Sequence, residues 1–308
     1  MPELYLSRSI EIQAPVEKVF TVVGDFKQWI PWSPWILIEP ECKLEFAEDG
    51  SSYSWDGNII GSGSLTKKTS ENNKHMLMDL QFFKPWKSRS AVTFDFKATG
   101  TGTEVRWDMR GSLPFFLFFM KKKMEAFVGM DYERGLKMLK EYCETGAINS
   151  KLNFNGTGTF AGTQAVAIRR RTTIDQLSEH MTSDMQTLRK FGEKHKLEGS
   201  DVPFSVYEKW DPVKREVIYV SGQPVASLTV DLEGELFSYQ LPECKIYEVE
   251  HNGVFDHVGN AWSAAMMHVQ AKKLKQHKKI MPFERYTRYA EDMPESEYQV
   301  KVCFPLRD

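Results

Sequence analysis

The sequence predicts an α+β protein in two parts. A curved antiparallel sheet wraps on one long helix, and a duplicated strand-helix-strand-strand unit follows. Three observations carry this. Short alternating segments separated by turn signals run from residue 42 to residue 111, the pattern of an antiparallel meander. A long amphipathic stretch from about Lys122 to Glu144 comes next, with apolar residues at helical spacing. Beyond residue 160, two segments with the same order of elements recur at a period of about 80 residues.

In the first part, Leu4 to Ile12 alternates as a strand. Ala14-Pro15 opens a helix in which Val16, Val19, Phe20 and Val23 recur on one face, and proline suits a first helical position. Trp29-Ile-Pro-Trp-Ser-Pro-Trp35 holds three tryptophans and two prolines in seven residues, which excludes regular helix and predicts a rigid aromatic turn. Strands are predicted at Cys42–Phe46, Ser52–Asp56, Ile59–Thr66, His75–Phe83, Ala91–Ala98 and Glu104–Gly111. Met124, Val128, Tyr132, Leu136, Leu139 and Cys143 mark the buried face of the long helix. The eight apolar residues Leu113 to Met120 are too few to span a bilayer, and read as a lid, a buried turn or a surface-seeking patch.

Trp32-Ser-Pro-Trp35, Ser54-Trp-Asp-Gly-Asn58 with Gly61-Ser-Gly63, Thr103-Glu-Val-Arg-Trp107 and Gly129-Met-Asp-Tyr-Glu-Arg-Gly-Leu136 follow one another over nearly all of the first 145 residues. In order and spacing they resemble the polyketide cyclase/dehydrase branch of the START-like (SRPBCC) superfamily. The resemblance implies a helix-grip fold with a hydrophobic cavity between sheet and helix. Trp32, Trp35, Trp55 and Trp107 are the candidate lining residues, and each reads as well as simple core filling. No acid–base pair stands out here, since Asp79, Asp95 and Asp108 alternate with apolar neighbours as solvent-facing sheet residues do.

Residues 148–160 are rich in Gly, Asn and Thr and keep neither period, so they read as a linker between domains at 1–147 and 161–308. The first repeat is strand Gln164–Arg170, helix Thr173–His195, strand Phe204–Tyr207 and strand Glu216–Ser221; Thr173 and Gln176 suggest a capping box. The second is strand Cys244–His251, helix Asp256–His277, strand Phe283–Tyr289 and strand Tyr298–Phe304. A pseudo-two-fold pair of such units offers a cleft between them.

Within the second repeat, Pro282-Phe-Glu-Arg-Tyr286 sets one carboxylate among aromatic residues. Glu284 and Tyr286 fall on the same strand face. Glu284 then reads as an inward charge that needs a partner, or as a strand-start Glu paired with a nearby Arg or Lys. This segment, with Gln164-Ala-Val-Ala-Ile168, Pro203-Phe-Ser-Val-Tyr207, Trp210-Asp211, Cys244 to Phe255, Trp262 and Val302-Cys-Phe-Pro-Leu306, resembles the GyrI-like family, the effector-binding domain of many bacterial AraC- and MerR-type transcription activators. The resemblance implies that Glu284 meets lipophilic cations within an aromatic pocket. Tyr286, Tyr207, Trp262, Phe255 and Phe204 are its candidate walls, each also readable as core.

The net charge is −2 from 40 basic and 42 acidic residues, and neither half carries an excess of more than about one charge. No basic face argues for nucleic acid, and no helix-turn-helix precedes the GyrI-like half, so direct DNA binding is not expected. Four scattered cysteines and a leading segment without an apolar signal core fit the bacterial cytoplasm. The histidines lack metal-ligand spacing, so no metal and no cofactor are expected; His251 and His257 read as surface or turn residues, and the basic run 272–279 as a solvated helix end. The expected function is a two-domain small-molecule-binding protein that senses or sequesters hydrophobic ligands, cationic ones included. The alternative, implied by stand-alone GyrI-like proteins, is a hydrolase of reactive xenobiotics or toxins acting through Glu284 and a cleft tyrosine.

Overall fold

The structure, a computed structural model, describes residues 3–112, 115–199, 201–228, 230–289 and 292–307, with backbone alone for 115–117. The chain divides into two compact units, Met1–Asn149 and Ser150–Asp308.

Unit 1 contains β1 (Glu3–Ile12), α1 (Val16–Gly24), β2 (Lys43–Phe46), β3 (Ser52–Asp56), β4 (Ser62–Glu71), β5 (His75–Lys84), β6 (Ser88–Ala98), β7 (Thr103–Ser112) and α2 (Lys121–Thr145). Its seven strands form one antiparallel sheet in the order β1-β7-β6-β5-β4-β3-β2. The first strand pairs with the last of the meander, which brings the chain back beside its start. α2 packs along β1 and buries Tyr132, Leu136, Leu139 and Cys143, one residue per turn of its apolar stripe. It stops at Gly146, whose φ of +82° suits the left-handed residue that closes a helix. The tryptophan segment is irregular as its prolines require, with short 3-10 turns at Phe26–Trp29 and Ile36–Ile38. Asp79 and Asp108 depart from the solvent-facing expectation: both are buried, because Arg89 and Arg106 lie over them at 2.6 Å and 3.3 Å. Asp95 is one-third exposed, paired with His75 and Arg106. Leu113 and Pro114 lie outside the described residues.

Unit 2 contains β8 (Ser150–Phe160), β9 (Thr163–Thr173), α3 (Leu177–Lys194), β10 (Phe204–Asp211), β11 (Glu216–Pro224), β12 (Leu236–Leu241), β13 (Cys244–Gly253), α4 (Gly259–Ala271), β14 (Phe283–Arg288) and β15 (Gln299–Leu306). The sheet order is β12-β9-β11-β10-β14-β15-β13-β8. Each repeat contributes three strands in mirrored order, and the two meet at the central pair β10 and β14. One further strand closes each edge.

Those two edge strands were not legible. Most of the stretch read as linker, Ser150–Phe160, is β8, paired along its length with β13 about 90 residues away. Its Gly and Thr residues alternate weakly, and only the long-range partner makes it a strand. The helical spans also shrink. Ile174–Gln176 is a 3-10 turn before α3, and Thr173 makes no side-chain cap to the backbone there. α4 ends at Ala271 rather than His277: Lys273 takes a φ of +55°, and Gln276 bridges to Leu306. The basic run is therefore a turn and a bridge, not a helix end.

Candidate functional site in the second unit

Ser205 on β10 pairs with Glu284 on β14, which fixes which side chains share a face. Ser205, Tyr207, Glu284 and Tyr286 stand on the helix-covered side of the sheet, by strand alternation. α3 brings Met181 to the Tyr207 hydroxyl at 3.6 Å, and α4 brings Trp262 against the Tyr207 ring at 4.9 Å between centroids.

Glu284 is at the centre and only 5 % exposed. Trp262 Nε1 donates to Oε1, and the Tyr286 hydroxyl donates to Oε2 at 2.9 Å. The Tyr207 hydroxyl also lies against the carboxylate. No Arg, Lys or His is ion-paired with it among the described residues, and the donors that offset its burial are neutral. Burial raises its pKa above the ordinary 4.5, and the hydrogen bonds from Trp262, Tyr286 and Tyr207 oppose that rise. Tyr207 and Tyr286 are pushed well up, first by burial and then by the Glu284 charge. The site is thus a buried acid with polar tips and aromatic walls: it can hold a cation, or hold a proton at Glu284 and pass it on.

Four of the sequence-derived residues come together here: Glu284, Tyr286, Tyr207 and Trp262. Phe255 joins through Tyr286, 6.0 Å away edge to face, and forms an outer cluster with Tyr289 and Tyr298 at 5.5 Å and 4.8 Å. Phe204 is a correction. It is one residue out of phase with Ser205 and Tyr207, so it faces the opposite side of the sheet, buried with Phe160, Val206 and Phe283. Its ring lies over Gly222, its cross-strand partner, where any β-carbon would collide with it. Ser205, fully buried beside Ser221, and Met181, on the apolar face of α3, also belong to the site. Their role depends on cross-strand register and helix docking, and no local signal gives either.

His251 and His257 are not surface residues: they are 0 % and 4 % exposed. His251 Nε2 meets Ser150 Oγ at 3.1 Å, and Asn260 donates to the same oxygen. Burial, then the neighbouring His257, lowers the His251 pKa to about 4, so it stays neutral near pH 7. Among the described residues no three His, Cys, Asp or Glu side chains group as metal ligands.

In unit 1 the four tryptophans pack on their own surroundings. Trp107 stacks on Tyr132 at 3.8 Å and meets Trp32 edge-on at 6.0 Å. Trp35 touches the same Trp107–Tyr132 pair and donates to Asp131 at 3.3 Å. Trp55 lies between Tyr53 and Phe82. Gly135 on α2 lets the helix seat here, since a β-carbon would come within 3.0 Å of Trp107. These rings build the core. A separate groove of about 490 Å³ lies outside it, lined by Phe20, Thr21, Lys67, Ser70, Asn73 and Met76 among others.

Residues 4–144 match the family described as polyketide cyclase / dehydrase and lipid transport. Several solved structures are similar to parts of the chain. One is a protein of Mesorhizobium loti, at 18 % identity and a TM-score of 0.36, covering 44 % of this chain and 94 % of that one. The Aha1 dimer of Colwellia psychrerythraea has 18 % identity and a TM-score of 0.36, covering 46 % and 98 %. The EcmrR–DNA complex has 14 % identity and a TM-score of 0.41, covering 60 % of this chain and 65 % of that one. No curated protein is similar enough to count as a match.

Proposed function

We propose that this chain, whose residues 4–144 match the polyketide cyclase / dehydrase and lipid transport family, is a small-molecule-binding protein whose second unit is GyrI-like and takes lipophilic cations at Glu284. One observation carries the reading. Glu284 is buried on the neutral donors Trp262 and Tyr286 with no cation paired to it among the described residues, so a positively charged ligand would supply the missing counter-charge. Trp262, Tyr207 and Tyr286 offer aromatic faces and edges to a flat apolar body, and cation–π attraction adds to the carboxylate's pull. Phe255, with Tyr289 and Tyr298, forms the outer wall.

The test is calorimetric titration of the full chain with a panel of lipophilic cations and neutral analogues of the same shape. Saturable binding of the cations alone is expected. Equal affinity for the neutral analogues, or no heat from any of them, sinks the proposal.

A second reading rests on the raised pKa of Glu284 beside the Tyr207 and Tyr286 hydroxyls, an arrangement that suits proton transfer to a reactive substrate. Product formation that stops in Glu284→Gln would favour this hydrolase over a sensor or sequestering protein.

A further inference from the structure

Unit 1 collects its exposed aromatic side chains at one end of its sheet. Phe83 and Trp86, 47 % and 44 % exposed, sit at the turn between β5 and β6. Phe118 and Phe119, 59 % and 71 % exposed, belong to a 3-10 turn at Phe115–Met120 between β7 and α2. The register joins the two places: Ser90 on β6 pairs with Gly111 on β7, so the β5–β6 turn and the chain leaving β7 emerge at the same end. Side chains this large and this exposed are costly in water unless something covers them.

The charges around them have one sign. Lys84 and Lys87 flank Trp86, and Lys121, Lys122 and Lys123 follow Phe119. There is no acidic residue from Leu80 to Phe94 or from Gly111 to Met124. Lys84 reaches Asp56 at 3.0 Å and Lys121 reaches Glu125 at 3.7 Å, while Lys87, Lys122 and Lys123 are exposed without an ion pair among the described residues. The three consecutive lysines also occupy the first turn of α2, which has no acid there. The helix dipole favours acids at that position, so the lysines work against the helix that carries them.

We propose that this end of unit 1 docks on an anionic phospholipid surface. Phe83, Trp86, Phe118 and Phe119 enter the headgroup region, and Lys87, Lys122 and Lys123 face lipid phosphates. Aromatic rings ringed by lysine are the chemistry that binds at a membrane interface without spanning it. Self-association on this face is disfavoured, because a two-fold contact would set the same lysines against each other. No described helix is long and apolar enough to cross a membrane, so contact at the surface is the form this chemistry takes in unit 1.

The test is co-sedimentation of the full chain with vesicles of phosphatidylcholine alone and of phosphatidylcholine mixed with phosphatidylglycerol. Binding to the anionic vesicles only, weakening as salt is raised, is expected. Lys122→Glu with Lys123→Glu lowers the vesicle affinity by roughly fivefold or more for each charge changed. Phe118→Ser with Phe119→Ser removes binding while circular dichroism stays unchanged. Should that pair fail to fold, Trp86→Ser replaces it. Trp86 fluorescence is also quenched by brominated lipid, and that quenching is lost in Trp86→Phe. Absence of binding to either vesicle overturns the proposal, as does equal binding to neutral vesicles that the lysine variants do not change. If the wild-type chain ignores vesicles but is a dimer in ultracentrifugation that Phe119→Ser splits, the patch belongs to a protein contact instead.

Discussion

Asp184 and Glu284 lie on the helix-covered side of the same sheet, 1 % and 5 % exposed. Asp184 comes from α3 and is held by its own cation: Arg170 Nε reaches both carboxylate oxygens at 3.0 Å and Nη2 reaches Oδ1 at 2.5 Å. The Tyr219 hydroxyl adds a 2.7 Å hydrogen bond. Glu284 has Trp262, Tyr286 and Tyr207 and, among the described residues, no cation. Tyr207 and Tyr219 are cross-strand partners, so one pair of strands serves both acids. The difference separates a carboxylate completed by the fold from one the fold leaves uncompensated. Burial alone does not mark a site; burial without a counter-charge does.

The largest test of this contrast is Asp184→Ala. Among the described residues, it leaves Arg170 with only the exposed Glu235 at 3.6 Å and the buried Tyr219 hydroxyl without its acceptor, and should cost about 3 kcal/mol of stability in urea unfolding. Glu284→Gln should not destabilise the unliganded chain, and a loss as large as that of Asp184→Ala would erase the distinction.

Two buried groups then predict opposite pH slopes. His251 has a folded pKa of about 4, below its ordinary 6.5. The unfolded chain binds the proton first, so the stability present above pH 6.5 is lost as pH falls toward 4, by about 3 kcal/mol in all. Glu284 has the reverse sign. Its folded pKa is raised, so its contribution weakens as pH rises above the ordinary 4.5 and through the folded value. Unfolding curves across this range should flatten on the acid side in His251→Gln. In Glu284→Gln they should lose the downward component at higher pH.

Ligand affinity is the next test. Glu284→Gln should weaken a lipophilic cation by about 1–3 kcal/mol in calorimetry and leave a neutral analogue unchanged. Smallest of all is the control on the other face. Phe204→Leu should leave cation affinity within about 0.5 kcal/mol of wild type, although it costs stability by opening the cluster with Phe160 and Phe283. An affinity loss as large as that of Glu284→Gln would move the site across the sheet.

A second comparison, between the aromatic sets of the two units, shows why residue type was an incomplete guide. Trp32 and Trp35 each meet Trp107 in unit 1, and Trp35 and Trp107 meet Tyr132. Tyr207, Trp262 and Tyr286 enclose an acid. The same residue types serve both, and the counter-charge distinguishes them: the acid that Trp35 reaches, Asp131, is paired with Arg134, whereas Glu284 has no such partner among the described residues.

The order of the strands and helices other than β8 and β12 is legible in one dimension, because alternation and helical spacing are local. The sequence by itself also determined the acid at the heart of the candidate site, since Glu284 and Tyr286 two residues apart on a strand must share a face. Tertiary structure decided the rest. Strands β8 and β12 needed distant partners to form at all. Alternation alone sets Phe204 and Tyr207 on opposite faces, and which of the two faces Glu284 is decided by the long-range pairing of Ser205 with Glu284. His251, His257, Asp79 and Asp108 looked like surface residues until neighbouring segments covered them. Burial, register and counter-charge are properties of residues far apart in the chain, and none of them is written in a local pattern.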